Sequence, residues 1–341
     1  MHLDRVIGQM RLRLGRDAFD DTAYRVLARA LSARAQAGVV GSIEAARCAA
    51  EVSHALGVAD EAERAMAAEA QRYLPTAKRL GDEAIDESLF HPTVPTGFRQ
   101  VFRLLHETMA KRYPPDLRRW GVGKGEKLAR GSGHPVRALA DQVAADLGVE
   151  AFDLYLSTAS PTALATEATE PLSLVVGTHL ANADKPHQVR FAVGRALKLA
   201  VAHMAVPARL SADELGVLLA GVIRQFDPTF APAALAMGQV SDEQQRLSRL
   251  IPKRMRDEIL PFATEITGLQ FDHHALSSGV IHTGNRAGLL AAGSALAGLV
   301  VLLRMGNHKD LQAARGDAFV EELLRFAVSE EHSELRRLLS T

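Results

Sequence analysis

The stretch Gln188 to His203 reads QVRFAVGRALKLAVAH and is apolar on nearly every side of a helical projection. Val189, Phe191, Ala192, Val193, Ala196, Leu197, Leu199, Ala200 and Val201 are broken only by Arg190, Arg195 and Lys198. A helix with no polar face has no side to give to water, so other elements must enclose it. The segment therefore belongs at the centre of a domain, and the rest of the chain has to supply the layers around it.

Residues 1–78 read as amphipathic helices. Leu3, Val6, Ile7, Met10 and Leu14 recur at helical spacing. Asp20 or Asp21 caps a helix from Thr22 to about Gln36, with Tyr24, Val26, Leu27, Leu31 and Ala35 on its packing side. Ser42 is expected to cap the next, to about Leu56, and Val58 to Asp60 opens a third through Tyr73. Alanines at the contacts make these helices resemble tetratricopeptide-type hairpins, although no second copy recurs at a fixed period. The chain is compatible with being the end of a longer repeat array.

Residues 79–134 read as a connector. The extended part begins just before it: Leu74 to Gly97, with Pro75, Pro92 and Pro95 and the acidic run Asp82, Glu83, Asp86 and Glu87, suits a surface segment before a helix from Gly97 to Tyr113. The sequence GVGKGEKLARGSG, Gly121 to Gly133, lacks the terminal Gly-Lys-Ser/Thr and the preceding strand of a phosphate loop, and reads as a mobile surface loop.

Residues 135–341 form the third region. A helix from Pro135 to Leu147 leads into three short apolar runs, Phe152 to Ser157, Ala163 to Thr169 and Leu172 to Leu180, which predict a small antiparallel or mixed sheet. Beyond the central helix, Ser211 with Glu214 and Ser241 with Gln244 have capping-box spacing. Helices are expected over 270–292 and 294–305, and one last helix from Phe319 to Leu339. The fold class is α+β, mostly α-helical, with a small central sheet packed on the buried helix and helical hairpins at the N-terminus.

Lys+Arg and Asp+Glu both total 40, so the chain lacks the basic excess that nucleic acid or an anionic membrane would favour. The run Ala287 to Leu303 holds 17 uncharged residues, rich in Ala and Gly, where a spanning helix needs about 20 of higher hydropathy; two core helices parted at Gly293-Ser294 are expected instead. The single cysteine, Cys48, sits among alanines as a small buried hydrophobe and fits a reducing compartment. With no apolar signal segment in the first residues, a cytoplasmic location is expected. There is no GxSxG elbow and no Cys-His pair, and the adjacent acids Asp257-Glu258 and Glu330-Glu331 fall on solvated helix faces.

Thirteen histidines invite a metal. His273 and His274 are adjacent, so on a helix their side chains diverge by about 100°, which makes joint ligation awkward. His179, His187, His203 and His282 have no histidine at i+4 and no acid at ligand spacing. No cofactor or metal is expected.

In its pattern Arg190, Phe191 and Gly194 resemble the active-site helix of HExxH zinc peptidases of the minigluzincin type, but the five ligand-motif positions read Arg195, Ala196, Leu197, Lys198 and Leu199. The segment Ile281 to Leu290, IHTGNRAGLL, is similar to that family's later helix, E-x-x-A-D-R-A-G-L-L. The resemblance implies that Arg195, Leu199 and Ile281 stand where three zinc ligands would be, Ala196 where the general base would be, and Asn285 at the orienting aspartate. Neither the metal nor the water activation survives those residue types. It also implies cationic groups, Arg195 and Lys198, at the old cleft, with Arg195 in reach of Asn285 or a backbone carbonyl.

From about Gly81 onward the chain also resembles C-terminal regions of large myxobacterial tetratricopeptide-repeat proteins, through Pro92 to Leu105, Gly148 to Tyr155, Leu174 to Gly177, Gly194 to Leu197, Asn285 to Leu290 and Leu323 to Glu331. That group supplies no established activity. The expectation is a catalytically inactive pseudo-metallopeptidase-like domain that serves as a protein-interaction or scaffold module, taking a protein or peptide partner in the former cleft. Two alternatives stay open: a metal-dependent hydrolase rebuilt from some of His179, His203, His273, His274 and His282, and a structural end-cap for a repeat array.

Overall fold

A computed structural model of the chain describes residues 2–72, 74, 79–232 and 234–340. Among these, fifteen α-helices surround one four-stranded sheet, the mostly helical α+β layout expected. The expected 78/79 boundary and the helix end at Tyr73 fall outside the described residues.

The N-terminal helices are α1 (His2–Arg16), α2 (Asp21–Gln36), α3 (Ser42–Ala55) and α4 (Glu61–Ala70), each packed on the next. Asp20 caps α2 through Ala23 N, and Asp60 forms a capping box with Glu63 at α4. Ser42 does not cap α3. It lies inside the helix, buried, and accepts from Arg34 Nε at 2.9 Å, while Gly41 at φ 79 makes the turn. Glu51 of α3 is buried against the C-terminal part of the chain, where it accepts from Ser294 Oγ and Ala295 N, each at 2.7 Å. It thereby places an acid at the start of a later helix, where amide groups need an acceptor.

The connector is not wholly extended. It holds a short helix, α5 (Glu83–Leu89), whose Ile85 and Leu89 are buried and whose Asp86 and Glu87 pair with Lys198 and Arg99. Then come α6 (Thr96–Arg112), strand β1 (Lys127–Leu128) and α7 (Pro135–Asp146). The glycine-rich segment is therefore not all loop, because Lys127 and Leu128 pair antiparallel with Tyr155 and Leu154.

The remaining strands are β2 (Phe152–Ser157), β3 (Leu164–Glu167) and β4 (Leu172–Gly177), in the order β1-β2-β4-β3. β2 and β4 are parallel, from Phe152 opposite Leu172 to Ser157 opposite Gly177; β3 runs antiparallel to β4 and forms one edge.

The central helix is α8 (Pro186–Val201), followed by α9 (Ala212–Ile223), α10 (Met237–Leu250), α11 (Lys253–Thr267), α12 (His273–Ala292), α13 (Ala295–Met305), α14 (Ala318–Ala327) and α15 (Glu330–Ser340). Every residue of α8 from Val189 to Leu199 is buried. Phe191 and Leu197 join a core with α1–α3, the sheet and α13–α15, while Leu199 joins a second core with α6, α9 and α11. α12 packs most closely on α8. A Cβ at Gly194 would stand 2.7 Å from Ala291 Cβ, and one at Gly288 would stand 2.7 Å from the Phe191 carbonyl oxygen. Only hydrogen at those positions allows the approach.

Ser211 with Glu214 makes the expected capping box, but Ser241 with Gln244 does not, since both lie inside α10. Gln244 instead bonds Arg224 and Gln225 of the preceding segment. The expected last helix is two, broken at Val328-Ser329, where Ser329 Oγ accepts from His332 N. Gly293 at φ 68 ends α12 and Ser294 caps α13. Among the described residues no helix is long and apolar enough to cross a membrane.

Candidate functional site

β3 lies over α8, with Thr166 Oγ1 donating to the Ala196 carbonyl at 3.0 Å. Beside that contact is a cavity of about 240 Å³ lined by Leu164 to Glu167 of β3, Arg195 and Leu199 of α8, and Ile281 of α12. Arg119, Trp120 and Arg209 complete its walls with Ala205 and Ala208. Three of the residues singled out from the sequence, Arg195, Leu199 and Ile281, thus meet at one place.

Arg195 is buried, and its Nε donates to Asn285 Oδ1 at 2.7 Å. Burial pushes its pKa down to about 10. Asn285 is itself buried, and its Nδ2 has no hydrogen-bond partner. Ala196 is not part of the cavity wall and contributes only its carbonyl to Thr166.

Lys198 does not line this cavity. Its side chain is fully buried; Nζ donates to Asp86 Oδ1 at 2.5 Å and lies 4.1 Å from the centre of the Phe90 ring. Burial pulls the ammonium pKa down, and the Asp86 carboxylate opposes that. The expected cleft-binding cation is therefore already paired within the fold.

Glu167 was not anticipated from the sequence. It is buried at the end of β3 and accepts from Trp120 Nε1 at 3.0 Å, Arg209 Nη1 at 2.5 Å and Asp116 N at 3.3 Å. Its partners lie 42 to 51 residues away in sequence, so spacing carries no signal of them.

A larger cavity, about 690 Å³, shares Ala205 with the first and continues along Ala168, Thr169 and Glu170. The His106 and His203 rings line it, 4.5 Å apart, and His203 has a left-handed backbone at φ 56. Burial and the neighbouring His106 lower the His203 pKa. The other histidines are dispersed. His282 packs at 4.8 Å on His91, its pKa pushed down to about 3 chiefly by burial. The His179 carbonyl accepts from Arg304. His273 and His274 come together after all, at the first turn of α12, where Asp213 of α9 stands 3.2 Å from His273 Nε2 and 3.7 Å from His274 Nε2. The three ligand atoms lie within 4.8 Å of one another. The sequence missed this because the acid comes from another helix.

The unpaired edge of β3 follows from its register; Leu164 and Ala165 on it are half-buried, and Thr166 is buried. Gly177 N donates to Ala163 O directly opposite, so the inward-facing pairs are the alternate ones, which include Ala165 and Glu167. The N–H and C=O of Leu164 and Thr166 then face away from β4. Among the described residues, Leu164, Ala165 and Thr166 make no backbone–backbone bond outside the β4 ladder. No family model matches this chain, and neither curated proteins nor solved structures gave a significant match.

Proposed function

We propose that the chain is a catalytically inactive, metallopeptidase-like interaction module that binds an extended segment of a protein partner along β3. The observation that carries this reading is the meeting of Arg195, Leu199 and Ile281 with the unpaired edge of β3 at one cavity. These are the positions where a minigluzincin-type peptidase holds its metal. Arginine, leucine and isoleucine offer zinc no ligand, and Ala196 cannot take a proton from water. Without the metal, what such a cleft retains is a strand edge above a groove. A peptide added there gains main-chain hydrogen bonds to Leu164 and Thr166 and seats alternate side chains in the adjoining cavities.

Leu164→Pro tests this. It removes one outward N–H, leaves the β4 ladder its bonds, and is tolerated on an edge strand. From a pool of random nonapeptides immobilised on beads, the wild type is expected to bind about tenfold more tightly than Leu164→Pro, with the melting temperature little changed. Equal binding by a folded Leu164→Pro variant would contradict the strand-edge mode.

A second reading, a metal-dependent hydrolase, draws on Asp213, His273 and His274. The His203 and His282 rings pack on His106 and His91, and neither they nor His179 belong to this group, so Asp213, His273 and His274 would have to build the centre without them. Cleavage of the pool is the outcome that reading requires.

A further inference from the structure

Among the described residues, five lysine or arginine side chains are buried: Arg137, Arg190, Arg195, Lys198 and Arg286. Four of them meet a carboxylate. Arg137 has Asp141 at 2.9 Å, Arg190 has Asp146 at 3.2 Å, Lys198 has Asp86 at 2.5 Å and Arg286 has Glu322 at 2.9 Å. Arg195 has none among the described residues, although it is only 6% exposed. Its Nε is held by Asn285 Oδ1, and its two terminal nitrogens make no hydrogen bond there. That one bond also fixes the Asn285 amide so that Nδ2 is left without an acceptor.

Enclosing a guanidinium without a counter-charge is unfavourable, and the fold avoids it at the other four sites. The one acid on the cavity wall, Glu167, is already engaged by Arg209, Trp120 and the Asp116 amide. Arg209 balances the charge of Glu167, so Arg195 keeps an unneutralised positive charge facing the space.

We infer that Arg195 is the receptor for a carboxylate of the bound peptide, either its C-terminus or an aspartate or glutamate side chain. The inference rests on the cleft reading above. The planar guanidinium, steadied at Nε by Asn285, presents a two-donor fork that matches two carboxylate oxygens. A volume of about 240 Å³ lies below the usual range for small-molecule sites, about 300–1,000 Å³. It suits one chain end or one side chain and leaves the rest of the peptide to the strand edge.

Trp120, the chain's single tryptophan, lines the same cavity, so its fluorescence reports occupancy directly. Three probes are titrated into the full chain: acetyl-Ala-Gly with a free carboxylate, its C-terminal amide, and acetyl-Glu-methylamide. At least one carboxylate probe is expected to give a saturable change, with the neutral amide about tenfold weaker or worse. Response to acetyl-Ala-Gly alone identifies a chain end, and response to acetyl-Glu-methylamide alone identifies an acidic side chain. Arg195→Gln is expected to abolish the preference, and Arg195→Lys, which keeps the charge but loses the fork, to retain part of it. Equal titration by acid and amide, an unchanged response in Arg195→Gln, or no response to either carboxylate up to its solubility would overturn the inference. Random-pool peptides held equally by wild type and Arg195→Gln, but released by Leu164→Pro, would remove the carboxylate assignment while leaving the strand-edge reading intact.

Discussion

Asp86→Ala is expected to lower the stability of the protein by about 3–5 kcal/mol, because it leaves the ammonium of Lys198 enclosed without a counter-charge. Asp86 is 31% exposed, so water can reach its side of the pair and the loss should fall toward the lower end of that range. Lys198 itself is fully buried, and in Asp86→Ala it keeps the residue-86 carbonyl, 3.3 Å from Nζ, and the Phe90 ring as contacts but no paired carboxylate. Lys198→Met in the Asp86→Ala background should restore most of the stability, since it removes the orphaned charge and keeps the volume. Urea unfolding of the three variants checks this; a loss below about 1 kcal/mol in Asp86→Ala would show that the ion pair is exchangeable with water. It also follows that charge reversal at Lys198 reports on folding rather than on binding in the cleft.

The second large effect is on pH. His332 is buried against Phe326, and neither ring nitrogen reaches hydrogen-bond geometry, although the Ala327 backbone lies alongside. Burial pushes its pKa down to about 3; burial also lowers His282 to about 3 and His91 to about 4. The folded state therefore refuses protons that the unfolded state accepts below 6.5. The stability linked to these groups is complete above that value and is lost as the pH falls toward 3. For His332 alone the full loss is on the order of 5 kcal/mol.

Two acids act in the opposite sense. Burial raises Glu51 to about 6 and raises Glu322, so the stability linked to Glu51 is complete below 4.5 and lost as the pH rises through 6. Three histidines outweigh them, and the net slope is a loss of stability on acidification. His332→Leu removes two unsatisfied nitrogens and should gain about 1–3 kcal/mol at pH 7. Its melting temperature should also fall less than that of the wild type between pH 7 and pH 4. Parallel curves for the two proteins would contradict the assignment to His332.

Much of this architecture was legible in the chain. The all-apolar face of α8 required burial, and Gly293-Ser294 marked a helix break that the structure places between α12 and α13. What could not be read depended on partners distant in sequence. β1 is two residues long and exists because β2 is beside it, and α5 is only seven residues with two apolar anchors. Ser42 and Ser241 have the right residue type for caps, yet each lies within a helix; the capping-box spacing of Ser241 with Gln244 recurs inside helices as well as at their ends.

The site divided the same way. Arg195 and Asn285, anticipated as neighbours, are joined by a hydrogen bond, whereas the pairing of Lys198 with Asp86 spans 112 residues and was invisible. Adjacent histidines looked unable to share a ligand because helical geometry splays them. At the first turn of α12, both nevertheless reach one carboxylate from α9.

We propose a cleft that holds a peptide and does not cut it. The most direct measurement is to incubate the purified full chain with a defined pool of random nonapeptides and follow, by mass spectrometry, what is retained and what is shortened. Retention of a subset at its original length is the predicted result. Appearance of shortened products that grow with time and protein concentration, or retention no greater than that of the Leu164→Pro variant, would contradict it.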